Sequence, residues 1–353
     1  MSQTTTQTEM LPLALAAPIT AVFNYYTWDE PPLEDDPIVL GGLITGDSPK
    51  TSPFTLPVHN IRQSDEKFSI DVHGFQILKH NSSLLPPFRQ DSDVNFHDSN
   101  IVKSVYWPEI TALLRETFGA RSVALVNTTF RAVNTREAST YDPKNPRKNP
   151  QAAFPPFFQV HGDYTGEGAR NHLRAVTPTF YDEIGTTPHT TPEERETFHT
   201  LCSQVIFAQD TAIKEARVDA TDWDGSNYTG PRWAMFSVWR PLSTVKRSPL
   251  AIMDARDLKD HVSLPRRYRN RPGFVPEYRS ANLLPRPPKA EEHRWYWLPE
   301  QKVDEVYAIK LFDSDSAKKS GPVAGAPHSA FELKGTSDLP PRRSAEVRAI
   351  VIW

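Results

Sequence analysis

The segment FFQVHGDYT, residues 157–165, carries the residues on which the predictions of fold and chemistry depend. It has the length and the aromatic content of a β-strand. On a strand, residues i and i+2 point to the same face, so His161 and Asp163 are expected to project side by side around Gly162. An imidazole and a carboxylate so placed can occupy adjacent positions around one metal ion. Taken alone the pattern is weak, because a polar pair on an edge strand has the same spacing.

Further runs of strand length, several rich in β-branched or aromatic residues, are separated by turns that contain Pro, Asp or Gly. They do not alternate with helical segments, so a doubly wound parallel sheet is not expected. The predicted fold is mainly β, with a double-stranded β-helix core (jelly-roll or cupin-like) and α-helices packed outside it. The other predicted strands are residues 121–133, 233–242, 249–258, 293–299, 305–313 and 345–353.

Two stretches are predicted to be helical. Residues 100–119 form the first, with Gly119 as its stop and a break at Pro108. Residues 191–206 form the second, with Thr191 as its N-cap. The single cysteine, Cys202, falls in this helix and is expected to be a half-buried structural residue.

Proline (33 residues) outnumbers glycine (15), which indicates many extended segments and fixed turns. We predict a loose N-terminal segment, residues 1–20, followed by one domain over residues 21–353. Residues 207–230 are polar and rich in turn-forming residues, and are predicted to be an insertion. Three segments are expected to be mobile surface: residues 141–151, 265–288 and 314–327.

Composition narrows the classes of function. The formal net charge is −3, so the concentrated excess of Lys and Arg that a nucleic-acid partner requires is missing. No run approaches the roughly 18 apolar residues of a membrane-spanning helix. A single cysteine excludes intramolecular disulfides and suits a reducing, cytoplasmic location. The sequence therefore predicts a soluble protein without a nucleic-acid or membrane partner, and it leaves the oligomeric state open.

The C-terminal part of the chain supplies partners for the His161–Asp163 pair. His328 follows the predicted strand 305–313. The last strand then carries Arg342, Ser344 and Arg348 at even spacing, and therefore on one face. A distal His followed by an inward-facing Arg is the arrangement that binds 2-oxoglutarate, whose far carboxylate needs a fixed bidentate cation.

With these residues in place, the chain resembles the fungal hydroxylase/desaturase group related to the cephamycin 7α-methoxylation component. The resemblance runs from about residue 61 to the C-terminus, and the order and spacing of its motifs are more specific than any one string. One departure is Ser237, where the family pattern leads us to expect Asn. The matching strings are FSIDVHGFQILKH (68–80), the Phe-x-x-x-Asn-x-Arg string at 130–136, VHGDYT (160–165), SVWRPL (237–242), PLAIMDARDL (249–258), HRWYWL (293–298), IKLFDSD (309–315), PHSAFE (327–332) and RRSAEVRAIVIW (342–353).

The resemblance implies an iron(II)/2-oxoglutarate-dependent oxygenase that uses O2. Such an enzyme hydroxylates, desaturates or cyclises a small secondary-metabolite or amino-acid-derived substrate by C–H abstraction. His161, Asp163 and His328 match the iron ligands. For the co-substrate, Arg348 is preferred, and Arg342 with Ser344 is the alternative.

Other residues carry weaker expectations. Arg240 and Arg131 are candidate contacts for a substrate carboxylate, although a structural role is favoured for both. Ile350 and Ile352 share a face with Arg348 and are candidates for the pocket wall, with core packing as the alternative. The remaining histidines that were considered, His73, His80 and His293, are expected to be structural.

Two other classes of function stay open at this point. One is a non-catalytic auxiliary subunit on the same scaffold. The other is a zinc or manganese cupin-like isomerase or hydrolase that uses the same three ligands without a keto-acid.

Overall fold

The computed structural model describes residues 18–27, 51–88, 96, 98–132, 154–184, 190–289 and 293–353. The expected loose segment 1–20 lies outside these residues, except that β1 begins at Ile19; the expected surface segment 141–151 lies wholly outside them. Twelve strands are described: β1 (Ile19–Tyr26), β2 (Thr51–Asn60), β3 (Phe75–Lys79), β4 (Ser122–Arg131), β5 (Trp233–Pro241), β6 (Leu250–Met253), β7 (His261–Arg269), β8 (Glu277–Pro285), β9 (Trp295–Trp297), β10 (Glu305–Asp313), β11 (His328–Ala330) and β12 (Ser344–Ile352).

The strands form two five-stranded sheets and a hairpin. One sheet has the order β1-β2-β9-β6-β11, and the other has the order β3-β10-β5-β12-β4. In the second sheet β5, β10 and nearly all of β12 are buried at every position, as expected for central strands covered on both faces. Side chains from both sheets line one cavity, so the sheets face each other across it.

Helices pack against the edge strand β4 of the second sheet and against β8 of the hairpin. The longer ones are α1 (Trp107–Phe118), α2 (Gly166–Arg174), α3 (Phe180–Glu183) and α4 (Pro192–Ala216). Both α1 and α4 contact β4. None of the described helices has the length and apolar content needed to cross a membrane.

Both predicted helices are present. In the first, a π-helical turn, Val102–Tyr106, leads into α1, so Pro108 lies where one helix type gives way to the other. Gly119 ends α1 in the left-handed region, with its N–H on the Arg115 carbonyl oxygen. Thr191 caps α4 in a capping box with Glu194.

The helix α4 is longer than the sequence predicts and runs through the first ten residues of segment 207–230. The rest of that segment is turns and irregular chain, so it is turn-rich only in part; that it is an insertion stays a prediction. Cys202 lies buried on α4, and burial raises the pKa of its thiol to about 12, which suits the structural role.

Two local predictions need correction. Residues 265–288, expected to be mobile surface, mostly belong to the antiparallel hairpin β7–β8. Val262 and Leu264 on β7, and Tyr278 and Ser280 on β8, are buried on either side of more exposed residues, so the basic, proline-rich composition concealed a two-residue period. Residues 157–165, predicted to be a strand, instead form isolated bridges. Their single paired positions are with Asn24, His328 and Leu283. Residues 314–327 form no helix or strand, and that they are mobile stays a prediction.

Gly74 permits a close approach between chain segments near β11. It has φ of +79°, and a Cβ there would lie 2.8 Å from the Ala326 Cβ and 2.9 Å from the Ala255 Cβ. Gly119 also has a positive φ, of +65°, but a Cβ there would meet nothing within 4 Å. A comparison of the two glycines therefore distinguishes the effect of a left-handed backbone, which both share, from the effect of close packing, which only Gly74 has.

We predict that Gly74→Ala lowers the free energy of unfolding more than Gly119→Ala does. Both variants should lose about 1 kcal/mol from the left-handed backbone. Gly74→Ala should lose about 1–3 kcal/mol more, because its methyl group overpacks the contact with Ala326. Urea unfolding of the two variants measures the difference, and equal losses would show that the contact at Gly74 is not tight.

Candidate active site

Three side chains that are distant in sequence converge between the sheets. His161 and His328 form an antiparallel bridge: the His161 N–H donates to the His328 carbonyl oxygen (3.3 Å), and the His328 N–H donates to the His161 carbonyl oxygen (2.9 Å). The two imidazole centroids are 4.5 Å apart, and His161 Nε2 lies 3.9 Å from Asp163 Oδ1. One potential ligand atom from each of the three residues lies within 4.8 Å of the others. The structure thus brings the predicted triad together.

Both imidazoles are oriented by the backbone. His161 Nδ1 lies 2.9 Å from the Gln159 carbonyl oxygen, and His328 Nδ1 lies 3.1 Å from the Ala326 carbonyl oxygen. A carbonyl oxygen only accepts, so each Nδ1 carries the proton and each Nε2 keeps its lone pair. Burial, with a smaller contribution from His328, holds the pKa of His161 well below its usual range. The histidines are therefore prepared as neutral donors to a metal ion.

The carboxylate of Asp163 is held from one side. Its Oδ1 accepts a hydrogen bond from Arg348 Nη2 at 2.8 Å, whereas Oδ2 is buried without a partner among the described residues. Arg348 Nε in turn donates to Glu346 Oε1 at 3.2 Å. A buried carboxylate oxygen without a hydrogen bond is costly, and a cation can replace the missing donor. Two imidazole nitrogens and one carboxylate oxygen make a donor set that fits a divalent transition metal.

The hairpin β7–β8 buttresses the segment that carries His161 and Asp163. Gly162 exchanges two backbone hydrogen bonds with Leu283 on β8, at 2.6 and 2.9 Å. Thr165 then donates its N–H to the Ala281 carbonyl oxygen and caps α2 through a hydrogen bond from the Gly168 N–H. The ligand segment is thus fixed on one side by β11 and on the other by β8.

A narrow cavity, here called the histidine cavity, opens beside the two imidazoles. Its apolar wall consists of Phe157, Trp239, Leu250 and Ile309. Its polar residues are Arg131, His161, Ser237, His328, Arg342 and Glu346. Trp239 therefore contributes to the site.

Two buried arginines give this cavity a positive character. Arg131 Nη1 donates to the Pro155 carbonyl oxygen at 2.7 Å, and Arg342 Nη1 donates to the Ser248 carbonyl oxygen at 2.5 Å. Neither forms an ion pair within 4 Å of a described carboxylate. The Arg342 guanidinium lies 5.0 Å over the Trp239 ring, and burial together with Arg131 lowers its pKa to about 9. Two neighbouring cations that repel each other favour the binding of an anion between them.

Unsatisfied polar atoms point to the same anion. Arg342 Nε and the hydroxyl groups of Ser237 and Ser344 are buried without hydrogen-bond partners among the described residues. Ser237 lies opposite Arg348 on β12, and Ser344 lies opposite Arg131 on β4. Buried donors of this kind are normally paired, so a ligand that brings oxygen atoms would complete them.

Arg348 was expected to be the co-substrate arginine, but the structure places it elsewhere. Its guanidinium pairs with Asp163 and Glu346, and Arg348 does not line the histidine cavity. Arg342, the alternative, does line it. Arg342 and Arg348 are six positions apart in an extended segment, so they are expected to share a face. The spacing does not show which of the two is paired with a carboxylate of the protein.

Other predicted contacts belong to the core. Arg240 is fully buried and binds Tyr106, His80 and the carbonyl oxygen of Val303, so it does not reach the site. Its neighbour on β5 faces the cavity, and alternation turns Arg240 away. Ile350 and Ile352 are fully buried in the main hydrophobic cluster and do not line the histidine cavity. Arg131 is the weaker candidate that the structure does bring to the site.

Sequence reasoning missed Glu346 and the role of Ser237. Glu346 lies between Ser344 and Arg348 on the same face of β12, so the spacing that selected its neighbours also selects it. Ser237 was noticed only as a departure from the family pattern. Its signal was its position two residues before Trp239, on the same face of β5.

The histidines that were expected to be structural have local partners. His73 Nε2 lies 2.7 Å from Glu66 Oε1, and His293 Nδ1 lies 2.8 Å from the Tyr25 hydroxyl. Glu66, His73 and Asp254 also lie close enough together to hold an ion. However, Arg256 Nη2 binds both carboxylates, at 2.8 Å to Glu66 and 2.5 Å to Asp254, so the negative charge is already neutralised.

Comparison with known proteins identifies the family to which this chain belongs. A family model described as "Oxidoreductase/YMDC permease-like domain" matches residues 26–189 and 206–352. A "Gibberellin cluster GA4 desaturase" of Gibberella fujikuroi is 31% identical over 325 residues, which cover 84% of this chain and 86% of that protein. An "Fe(II)/2-oxoglutarate-dependent dioxygenase nvfI" of Aspergillus novofumigatus is 24% identical over 85% of this chain and 84% of its own length.

Among solved structures, the "iron and alpha-ketoglutarate-dependent endoperoxidase NvfI" matches with a TM-score of 0.59 and 20% identity, covering 95% of this chain and 98% of that one. This likeness confirms the predicted jelly-roll core with helices outside it. The chain therefore belongs to the oxidoreductase family that the matching model describes, the family of the fungal hydroxylase/desaturases and iron(II)/2-oxoglutarate-dependent dioxygenases.

Proposed function

We propose that this chain is an iron(II)/2-oxoglutarate-dependent oxygenase in which His161, Asp163 and His328 hold the iron. It hydroxylates, desaturates or cyclises a small secondary-metabolite or amino-acid-derived substrate. The observation that carries the proposal is the convergence of one ligand atom from each residue within 4.8 Å, with both Nδ1 atoms already bound to backbone carbonyl groups. The names of the relatives, which include a desaturase and several 2-oxoglutarate-dependent dioxygenases, support the same chemistry.

When bound, iron with 2-oxoglutarate and O2 supplies the oxidising power needed to break a substrate C–H bond. The protein's contribution is to hold and orient. The backbone bridge between His161 and His328 sets the spacing of two donors, and Arg348 fixes the rotation of the Asp163 carboxylate. A facial set of three protein ligands leaves the remaining positions for the co-substrates.

We assign the far carboxylate of 2-oxoglutarate to Arg342. Arg342 lies in the same cavity as both histidines and has an unpaired Nε, and the Ser344 hydroxyl is also without a partner. Arg131 adds a second positive charge, while Glu346 is engaged by Arg348. A guanidinium that binds a carboxylate through two N–H groups gives both affinity and orientation.

The apolar wall of the histidine cavity limits water at the site. Phe157, Trp239, Leu250 and Ile309 surround the polar groups. In such surroundings the attraction between Arg342 and a carboxylate is stronger than in water. The same surroundings protect reactive species from side reactions with water.

The direct test is the removal of single ligands. His161→Ala and His328→Ala should each weaken iron binding by more than the roughly 10- to 100-fold that loss of a supporting residue costs, because a donor atom itself is lost. In both variants the formation of succinate from 2-oxoglutarate should disappear together with the bound iron. Iron per chain after dialysis and succinate release measure the two effects, with His199→Ala on α4 as the matched control.

Two other results would favour other functions. A protein that binds zinc or manganese through the same residues, and never converts 2-oxoglutarate with any candidate substrate, would be a cupin-like isomerase or hydrolase. A protein that binds none of these metals would be an auxiliary subunit on this scaffold.

A second experiment should distinguish the roles of Arg342, which precedes β12, and Arg348, which lies on it. Arg342→Met should weaken 2-oxoglutarate binding by about 10- to 100-fold, because a charge-assisted hydrogen bond is lost, and should leave iron affinity unchanged. Arg348→Met should weaken iron binding by roughly 10- to 100-fold through Asp163. Anaerobic calorimetry measures both, with Arg343→Met as the control. The reverse pattern would restore Arg348 as the co-substrate residue.

The burial of His161 predicts a pH profile. Its pKa lies well below 6.5, so the ring stays neutral, and able to bind iron, as the pH falls through the range where an exposed histidine becomes protonated. The ring-proton NMR signals of His161 in the metal-free protein, assigned by their loss in His161→Ala, should therefore not titrate between about pH 8 and pH 6. A titration of these signals centred near pH 6.5 would contradict a buried, neutral His161.

A further inference from the structure

A second cavity, of about 360 Å³, lies on the other side of the ligand segment. Here called the outer cavity, it is bordered by Gly162, Tyr164 and Pro327, which neighbour the three proposed iron ligands in sequence. It shares no lining residue with the histidine cavity. Residues 161 and 162 thus face different cavities, as alternation along an extended chain requires.

One wall of the outer cavity holds a buried cation. Arg170 on α2 is 8% exposed, and its Nη2 donates to the Trp223 carbonyl oxygen at 3.0 Å. Its guanidinium lies 4.9 Å over the Trp223 ring, and it forms no ion pair within 4 Å of a described carboxylate. Burial lowers its pKa to about 10, against the smaller opposite effects of Glu167 and Asp224, so Arg170 remains charged at neutral pH with no carboxylate in contact.

The carboxylates at the edge of the outer cavity do not neutralise Arg170. Asp313 is paired with Arg232 at 2.6 Å and with Lys310 at 2.7 Å. Asp224 is exposed and accepts a hydrogen bond from the Ser226 N–H. Glu167 and Asp224 attract Arg170 only from a distance, so no described carboxylate is in contact with its guanidinium.

A second polar group in the wall lacks partners. Gln209 on α4 is 1% exposed, and neither its amide oxygen nor its amide nitrogen has a hydrogen-bond partner among the described residues. Leaving both atoms of a buried amide unpaired is costly, and such groups in native proteins usually face a ligand or water. Gln209 can donate one hydrogen bond and accept another from the same molecule.

Much of the rest of the wall is apolar and aromatic, and its other polar side chains are Lys259, His261, Ser314 and Ser316. Trp223, Tyr228, Trp233, Leu311 and Phe312 contribute to it. A volume of about 360 Å³ lies within the range of small-molecule sites, which combine an apolar lining with a few placed polar groups. The chemistry of the lining matches a compact apolar body with a single acidic group.

We infer that the outer cavity binds a small apolar molecule that carries one carboxylate, with the acid on Arg170 and a hydroxyl or carbonyl oxygen within reach of Gln209. Because neither histidine lines this cavity, the ligand is separate from the molecule that reacts at the iron. Its contacts with Gly162 and Pro327 adjoin the backbone of the iron ligands, so its binding is expected to affect the metal site. The inference stands on Arg170 and Gln209 and goes beyond the proposed oxygenase activity.

The test uses the full chain, loaded with iron(II) and 2-oxoglutarate under anaerobic conditions. The probe is 8-anilinonaphthalene-1-sulfonate, whose sulfonate represents the carboxylate and whose rings represent the apolar body. N-phenyl-1-naphthylamine, which has the same rings and no charge, is the comparison. Arg170→Met should weaken binding of the sulfonate dye about tenfold and leave the uncharged dye unchanged, because only the ion pair is removed.

A second variant guards against a folding defect at Arg170. Ala317 is exposed and lines the outer cavity, so Ala317→Trp should obstruct it without disturbing the core and should abolish binding of both dyes. Arg174→Met is the matched control, because Arg174 lies on the same helix but pairs with Asp210 and does not line the cavity. Wild-type affinity for the sulfonate dye in either Arg170→Met or Ala317→Trp would overturn the inference.

Discussion

Two backbone hydrogen bonds between His161 and His328 hold together the part of the molecule on which the rest depends. A metal site requires its donor atoms to be placed to within a fraction of an ångström, and these two residues come from opposite halves of the chain. An antiparallel bridge places two residues directly opposite each other at a separation set by covalent geometry. Each imidazole is then turned by a hydrogen bond to a carbonyl group two residues earlier, so the backbone alone determines where both Nε2 atoms point.

The charges near this bridge explain why Arg348 differs in role from Arg131 and Arg342. Arg348 neutralises Asp163 and Glu346, and it therefore serves the metal side of the site. Arg131 and Arg342 have no carboxylate within ion-pair distance among the described residues, and they leave a positive excess for an incoming anion. Burying cations without counter-ions destabilises the folded protein. The cost is understandable if a ligand carboxylate completes the site in the working enzyme.

The ligand segment is a thin partition between two cavities. On one side lie the histidines, and on the other lie Gly162 and Tyr164 with the buried Arg170. Its position depends on β11, on β8 and on the close contact between Gly74 and Ala326 next to His328. A ligand in the outer cavity would contact the same backbone that positions the proposed iron ligands.

The sequence by itself determined the jelly-roll class, the strands β10 and β12 almost to the residue, the cap at Thr191 and the three residues of the triad, because these follow from local periodicity, capping chemistry and motif order. The sequence did not predict the hairpin β7–β8. Its arginines and prolines are typical of a loop, and only the pairing of the two strands buries part of their residues. Only the tertiary structure distinguished the surroundings of Arg342 from those of Arg348, because the position of Asp163 beside Arg348 depends on a contact between segments that are distant in sequence. The outer cavity likewise arises from segments that are far apart in sequence, and no local pattern encodes it.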